Sequence, residues 1–590
     1  MKQIRNSIQY LQTRLSRKQF MFISSVVVGF SAGLAAIVLK TFVHYVFLVA
    51  SLLNSFADLQ YFFLCLPILG IFLTTVVVKR VLGGKLEKGL PPIISAVAKR
   101  SSIIPQEQMY AQILTSSLTV GFGGSAGLEA PIVVTGAAFG ANYAQTYGLN
   151  YQERTLLLAC GVAAGIAATF NAPIAGVLFT LEVLLFDVSI TVFTPLIIAA
   201  ATGALLSKII LNDNILFSFQ LQQPFNYYNL PFYLVLGVLS GMISVYHSRI
   251  FVLVEKRFGK AKNLVYTNLF IGGIALAALI FVFPSLFGEG YDSIKMLSSQ
   301  QPEQLLARSS LLAQYKSNPW VVLCFVGILV FTKPIAAALT VGSGGNGGNF
   351  APSLFVGAYL GFFVARAVNL LHIAKIPESN FAIVGMAGVL SGLYHAPLTA
   401  IFLIAEITGG YNLMIPLMLV SSLSYIVSKY AEPYSMDTRQ LAHAGQIFPN
   451  NKDKHILTNI KTAKLIETDF VAVAASGTLR DLVTAIANSK RNIFPVVSTE
   501  NELLGIILLD NIREIIFKTE LYDTIKIQAL MTNPPATVAT TETMEAAMKK
   551  FDETGAWNLP MLQDDKYIGF ISKSSVFTSY RKRLISTAMD

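Results

Sequence analysis

A glycine-rich segment around a single carboxylate, Val120–Pro131 (VGFGGSAGLEAP), constrains the fold of this 590-residue chain more than any other feature. Apolar sequence long enough to span a lipid bilayer flanks the segment on both sides. Because a charged side chain at membrane depth is costly, Glu129 in this segment indicates a functional site. The competing interpretation is a glutamate in a surface loop between two helices, and the recurrence of the segment argues against it.

The segment occurs twice in the chain. Val341–Pro352 (VGSGGNGGNFAP) aligns with the first copy without a gap and shares its four glycines and the final Ala-Pro. A second pair of segments follows in the same order, since Gly161–Glu182 aligns with Gly385–Glu406, including an Ala-Pro and the last glutamate. Two blocks that recur in order predict a duplicated membrane unit. Paired Gly/Pro-interrupted segments of this kind indicate the substrate site of a transporter.

Backbone chemistry predicts what each copy does. Glycines let the chain leave helical geometry, and proline suits the first turn of a new helix. Each copy is therefore expected to end one helix and to begin another whose free N–H groups and positive dipole end point into the membrane. Two such ends form a site for a small inorganic anion rather than a cation. Glu129, at one of these ends, would compete with the anion and act as a gate.

The composition is that of an integral membrane protein. Hydrophobic residues make up 54% of the chain and charged residues 13%, which is about half the charged share of soluble domains. The net charge of +11 is attributed to cytoplasmic loops rather than to nucleic-acid binding, and the basic residues of segment 1–20 predict a cytoplasmic N-terminus. The three cysteines and six histidines lack ligand spacing, so no metal and no cofactor is expected.

The hydrophobic character ends near residue 445, which divides the chain into domains. In the remainder, a helical stretch followed by a pair of apolar strands occurs twice, and these two copies resemble a tandem pair of CBS domains. The expected order is a cytoplasmic N-terminal segment (1–20), an all-α polytopic membrane domain (21–445), a linker (446–458), and a soluble α/β module with CBS domains at 459–517 and 527–584.

The glycine segments resemble the motifs of the chloride channel/transporter (CLC) family. GLEAP (127–131) and GNFAP (348–352) are similar to the G-x-E-G-P and G-x-F-x-P motifs of that family, and KGLPP (88–92) is similar to its G-S-G-I-P motif. With the C-terminal CBS pair, the resemblance covers the whole chain. It implies an inverted repeat within each subunit, a homodimer with one anion pathway per subunit, and chloride as the transported ion.

The resemblance also implies the site residues. Glu129 corresponds to the gating glutamate of the family, and the backbone N–H groups of Asn349 and Phe350 correspond to those that bind the central anion. The full set of anion-binding candidates is Gly127, Leu128, Gly348, Asn349, Phe350, Lys88, Gly89, Asp437 and Tyr434.

Two positions depart from the family pattern at the anion site. Lys88 replaces a serine, and Asp437 replaces a tyrosine, with Tyr434 three residues earlier. We hypothesise that Lys88 and Asp437 form an ion pair at the intracellular mouth, because an unpaired buried charge is costly and a pair offsets part of that cost. The alternative is that Lys88 extends to cytoplasmic water.

A third departure concerns protons. Family members that exchange chloride for protons commonly carry a glutamate one residue after the position of Glu182, and this chain has Val183 there. A valine cannot relay a proton, so the sequence favours passive, Glu129-gated conduction. A chloride/proton antiporter of the same family is the alternative. Glu182 and its repeat Glu406 are interpreted as structural polar groups.

Two other classes of protein fit the sequence less well. A CBS-containing cation transporter would need clustered intramembrane acids, whereas Glu129, Glu182 and Glu406 occur singly. An enzyme is not expected, because the sequence shows no catalytic triad or metal spacing. The glycine segments also lack the Lys-Ser/Thr ending of a phosphate-binding loop.

The CBS pair departs from the nucleotide-binding pattern G-h-h-[ST]-x-x-D. The first copy has Asn511 near the position of the acid, and the second copy keeps Ser572 but has no acid. These changes argue against an adenosine nucleotide as ligand and favour a regulatory or dimer-packing role.

Overall fold

The computed structural model describes residues 14–56, 62–84, 86–98, 101–184, 190–211, 225–259, 265–298, 301–309, 311–444, 457, 460 and 462–588. Most of the predicted N-terminal segment 1–20 and nearly all of the predicted linker 446–458 lie outside the described residues. The chain forms two compact units, Met1–Ile447 and Phe448–Asp590.

The first unit is built from helices. In chain order these are α1 (Arg17–Phe56), α2 (Leu66–Arg80), α3 (Pro91–Ala98), α4 (Gln108–Gly121), α5 (Glu129–Thr146), α6 (Tyr151–Phe170), α7 (Pro173–Phe179), α8 (Ile190–Leu211), α9 (Leu230–Gly259), α10 (Val265–Val282), α11 (Tyr291–Ser298), α12 (Glu303–Ala307), α13 (Pro319–Gly342), α14 (Phe350–Leu370), α15 (Glu378–Tyr394), α16 (Pro397–Ile407), α17 (Met414–Ala431) and α18 (Met436–His443).

Within the described part of this unit, eight helical segments are long and apolar enough to cross a membrane. Shorter apolar helices, among them α7 and α16, lie between these segments. The helices are therefore unequal in length, as the glycine and proline interruptions predict. An all-α polytopic membrane domain followed by an α/β module is confirmed.

The two copies of the repeat pack in the same way. Helix α5 contacts α6, and α14 contacts α15, each at a pair of glycines. A Cβ atom on Gly136 would lie 2.2 Å from the carbonyl oxygen of Gly161, and one on Gly357 would lie 2.3 Å from that of Gly385. Helix backbones can approach so closely only where the contacting residues are small. This contact explains why both glycine pairs recur.

The repeated Ala-Pro has the same structural role in both copies, since it separates two helices. Helix α6 ends at Asn171 with a φ of 53°, and α15 ends at His395 with a φ of 57°. Both residues adopt the left-handed conformation that terminates helices. A proline at the first position then starts α7 and α16.

Each of these short helices is capped by a glutamate from the other copy. Glu182 accepts hydrogen bonds from the backbone N–H groups of Leu398, at 3.0 Å, and Thr399, at 2.7 Å. Glu406 accepts from two N–H groups in the first turn of α7, at 3.1 and 2.9 Å. The carboxylates satisfy free helix donors and complement the positive dipole ends. Both glutamates therefore have the structural role that the sequence predicted.

The second unit contains two three-stranded sheets. In chain order its elements are β1 (Val473–Ala474), α19 (Leu479–Ala487), β2 (Ile493–Val497), β3 (Leu503–Leu508), α20 (Leu509–Ile512), α21 (Ile527–Leu530), β4 (Val538–Ala539), α22 (Met544–Thr554), β5 (Asn558–Gln563), β6 (Lys566–Ser572) and α23 (Lys573–Ala588). The strand orders are β1-β2-β3 and β4-β5-β6, with the first pair parallel and the second antiparallel in each sheet. The two halves are therefore copies of one α/β unit.

The reciprocal caps lead to a stability prediction. Replacing Glu182 or Glu406 by alanine should lower the free energy of unfolding by about 1–2 kcal/mol each, because two helix N–H groups lose their acceptor. Thermal unfolding of the purified protein in detergent measures this change. Glu107→Ala is the matched control, since Glu107 precedes α4 without making a side-chain cap. Unfolding midpoints equal to that of the control would contradict the capping role.

Candidate functional site

The two glycine segments meet in the structure. The N–H group of Gly127 donates to the carbonyl oxygen of Gly348 at 2.9 Å, and the N–H group of Gly348 donates to that of Gly127 at 2.8 Å. This antiparallel bridge brings together the residues that precede α5 and α14. The N-terminal ends of two helices, one from each copy, are thus adjacent, as the sequence predicts.

Threonine side chains fix the two segments in the same reciprocal way. Thr340 accepts a hydrogen bond from the backbone N–H of Ser125 at 3.1 Å, and Thr119 accepts one from that of Asn346 at 2.9 Å. All four residues are fully or almost fully buried. The glycine segments are therefore rigidly positioned, although they lie outside regular helices.

The carboxylate of Glu129 lies at the N-terminal end of the opposite helix. Glu129 is the first residue of α5 and is 2% exposed. Its Oε2 atom accepts from the backbone N–H of Ala351, in the first turn of α14, at 3.4 Å. Its Oε1 atom accepts from the hydroxyl of Tyr291 at 2.6 Å. The side chain thus occupies the electropositive position where an anion would bind.

The residue directly before each of these two helices completes this region. Leu128 precedes α5 and Asn349 precedes α14, and both are buried. The side-chain oxygen of Asn349 lies 3.5 Å from Nε2 of His247, and its amide nitrogen lies 3.8 Å from the sulfur of Met436. Asn349 is thereby held with its backbone at the start of α14.

An aromatic cluster surrounds the start of α14. The ring of Phe350 contacts the rings of Phe170, Phe179 and Tyr394, with centroid distances of 5.5, 6.0 and 5.6 Å. Phe350 aligns with Glu129 in the repeat. The second copy therefore places an apolar ring where the first copy places the carboxylate.

A cavity of about 360 Å³ is lined by five of the nine predicted anion-binding residues. Lys88, Gly89, Gly348, Asn349 and Asp437 all line it. Ala130, which follows Glu129, and the residues Tyr394, Glu255, Met436 and Gln440 also line this cavity. We refer to it as the Asp437 cavity.

Tyr434 is placed differently from the other candidates. It is half-buried, its ring lies 6.3 Å from that of His443, and it is not among the residues that line the Asp437 cavity. The tyrosine that faces the cavity is Tyr394, at the end of α15. Sequence reasoning missed Tyr394, which falls in the second repeated block directly before His395.

The predicted ion pair between Lys88 and Asp437 is not formed between these two described residues. The Lys88 ammonium donates instead to the carbonyl oxygens of Gly345, at 2.8 Å, and Val341, at 3.3 Å. These carbonyls lie at and just beyond the C-terminal end of α13, where the helix dipole is negative. Lys88 is half-buried, so it neither pairs with Asp437 nor simply extends to water. The hypothesis was wrong because the nearest acceptors belong to the backbone.

The acids of the Asp437 cavity differ in their surroundings. Asp437 is 9% exposed, and its Oδ2 atom has no hydrogen-bond partner among the described residues. Glu255 interacts electrostatically with Lys88 and hydrogen-bonds the side chain of Gln440. One carboxylate is therefore satisfied, and the other has a free oxygen.

A second group of charged residues lies near Glu129. Lys333 on α13 is fully buried and donates to the hydroxyl of Ser125 at 2.9 Å and to the carbonyl of Gly288 at 3.0 Å. Glu289 interacts electrostatically with Glu129 and with Lys333. Sequence reasoning missed Lys333, Glu289 and Tyr291, although a lysine within an apolar span was a visible signal.

Val183 lies in the apolar core. It belongs to the short helical segment Thr180–Leu184, is 6% exposed and packs among hydrophobic residues. Its side chain offers no atom that could bind a proton. The carboxylate of the neighbouring Glu182 caps the N-terminal end of α16.

Comparison with known proteins identifies the family. The sequence model of the family described as voltage gated chloride channel matches residues 70–429, and that of the CBS domain matches residues 463–518 and 527–582. The chain is 27% identical over 361 residues to a putative chloride channel protein, ClcB-like, from Ralstonia nicotianae. That alignment covers 60% of this chain and 80% of the relative.

Solved structures have the same fold. A slow cyanobacterial Cl⁻/H⁺ antiporter superposes with a TM-score of 0.61 at 22% identity, covering 73% of this chain and 98% of that one. A eukaryotic CLC transporter superposes with a TM-score of 0.60 at 17% identity, covering 94% and 97%. Because the family match spans more than half of the sequence, the chain belongs to the voltage-gated chloride channel (CLC) family and carries two CBS domains after its membrane domain.

Proposed function

We propose that this protein moves chloride across a membrane along a pathway that is gated by Glu129. One observation carries the proposal: the Glu129 carboxylate lies on the first turn of α14, held by the Ala351 N–H and the Tyr291 hydroxyl. An anion that approached this helix end would compete with the carboxylate for the same positive potential. Chloride therefore passes when Glu129 leaves or becomes neutral.

The candidate anion-binding residues have distinct roles in this proposal. The backbone groups of Gly127, Leu128, Gly348, Asn349 and Phe350 form the two helix ends that face the ion. Lys88 and Gly89 lie along the Asp437 cavity, through which the ion reaches those ends. The Lys88 charge favours anions in the cavity, although its bonds to two carbonyls moderate the attraction.

Two modes of transport, passive conduction and exchange of chloride for protons, are compatible with this pathway. Val183 favours passive conduction, since the position of the usual internal glutamate holds no acid. Exchange of chloride for protons is favoured by titratable groups on the Asp437 cavity and beside Glu129, namely Asp437, Tyr394 and Tyr291. We prefer exchange, because a proton can reach Glu129 through these groups without a carboxylate at position 183.

The expected assembly is a homodimer in a cytoplasmic or inner membrane, with the N-terminus and CBS domains in the cytoplasm. Support for the dimer comes from four neighbouring helices of the membrane unit. Helix α7 contacts α8 and α16, and α16 also contacts α17. They expose large apolar side chains, including Ile174, Ile197, Leu398 and Ile415. A second copy of this chain would cover this face.

For the CBS pair, a regulatory or dimer-packing role without an adenosine nucleotide remains our proposal. The Ser572 hydroxyl donates to Glu467 at 2.5 Å, and Glu467 in turn pairs with Arg491 at 2.7 Å. The hydroxyl that the second copy keeps from the nucleotide-binding pattern is thus engaged by the protein itself. Asn511 supplies no carboxylate in the other copy.

The gate is tested by replacing Glu129 with glutamine in the full-length protein, reconstituted in liposomes. A neutral side chain no longer competes with chloride, so chloride flux should rise by about tenfold, equivalent to about 1.4 kcal/mol of barrier. Flux in the wild type should increase on acidification, and flux in the variant should not depend on pH. A chloride electrode measures both, with Glu107→Gln as control. A wild-type pH response in Glu129→Gln would overturn the assignment.

The Tyr291 hydroxyl should hold the gate closed. Tyr291→Phe removes one hydrogen bond to a charged group, worth about 1.5–3 kcal/mol, so chloride flux should rise and its activation by acid should begin at a higher pH. Tyr233→Phe is the control, because Tyr233 is a buried tyrosine of the same unit that stacks on Phe381. If both variants behave like the wild type, Tyr291 does not control Glu129.

A further inference from the structure

Asp437 stands out among the buried charged groups of the membrane unit. It lies on the first turn of α18, more than nine-tenths buried, and lines a cavity rather than a packed core. Its Oδ2 atom has no hydrogen-bond partner in the part of the chain that the structure describes. A buried carboxylate with a free oxygen is unfavourable in its charged form. Such a group is suited to binding a proton.

The other groups that face the cavity are already engaged. Lys88 donates to two backbone carbonyls. Glu255 interacts with Lys88 and Gln440 and, as a like charge, with Asp437. Arg439, on the same helix as Asp437, pairs with Glu432 at 3.3 Å. No described cation therefore forms an ion pair with Asp437, and its proton would not be displaced by one.

Tyr394 interacts with both Asp437 and the gate. It lines the same cavity and is 6% exposed. Its interactions with Asp437 and with Glu129 are electrostatic. A phenol hydroxyl can accept a proton on one side while it donates its own on the other, so Tyr394 together with water in the cavity would carry a proton between the two carboxylates.

We propose that Asp437 is the proton-binding group on the cavity side of Glu129, serving the function that Val183 cannot serve. This inference rests on the exchange form of the proposed function. In the net step, protonated Asp437 and ionised Glu129 become ionised Asp437 and protonated Glu129. The O–H bond at Asp437 breaks and one forms at Glu129, with the Tyr394 hydroxyl and cavity water passing the proton. Asp437 then regains a proton from hydronium that enters from the aqueous phase through the cavity.

The test compares proton and chloride flux in liposomes that contain the full-length protein. Asp437→Asn keeps the shape of the side chain and removes the titratable group. The ratio of protons to chloride should fall by about tenfold or more, in keeping with the loss of a positioned acid, while a measurable chloride flux remains. Glu107→Gln is the control, since it removes a carboxylate that does not line the cavity, and its ratio should be unchanged.

The possible results separate the two proposals. A wild type that moves chloride but no protons overturns the exchange form of the function and this inference with it. A wild type that moves protons, together with an Asp437→Asn variant that keeps the same ratio, overturns only this inference. Loss of both fluxes in a monodisperse variant also overturns it, because Asp437 would then serve the anion. If Asp437→Asn is not monodisperse, Asp437→Ser and Asp437→Glu replace it, and only the glutamate should retain the ratio.

Discussion

The pair of hydrogen bonds between Gly127 and Gly348 is the contact on which the membrane unit depends. Two helix N-terminal ends with unsatisfied donors would not approach each other in an apolar environment without a fixed link. The antiparallel bridge provides that link, and the reciprocal threonine bonds reinforce it. The arrangement concentrates two positive dipole ends at one place, which is the basis of the proposed anion site.

The two copies contribute alike to this scaffold, and the proposed gate lies at a position where they differ. The glycine contacts, the left-handed helix ends and the glutamate caps all occur once in each copy. At one of the aligned positions where the copies differ, Glu129 stands in the first and Phe350 in the second. The carboxylate crosses to the helix of the other copy, while Phe350 packs into an aromatic cluster. Only one of the two helix ends therefore carries its own competing anion.

The sequence predicted those parts of the site that depend on local backbone chemistry. Glycine and proline spacing predicted the interrupted helices, and the single acid among them pointed to Glu129. Tyr291, Lys333 and Tyr394 were not predicted, since their contacts with the glycine segments are set by tertiary packing. The prediction of an ion pair between Lys88 and Asp437 was wrong for the same reason. Opposite charges at the two positions that replace a serine and a tyrosine of the family pattern suggested the pair, but the Lys88 ammonium binds the carbonyls of Gly345 and Val341 instead.

The position of Asp437 has a consequence for how chloride and protons would be coupled. In a separate proton route, the two ions would influence each other only through Glu129. Asp437 instead lines the cavity that contains the start of α14, so a chloride ion there would lie near its carboxyl group. A nearby negative charge favours the neutral form of an acid, and by linkage the protonated acid favours the anion to the same extent. The binding of chloride in the cavity and of a proton to Asp437 would then favour each other, which links the two ions at the cavity as well as at Glu129.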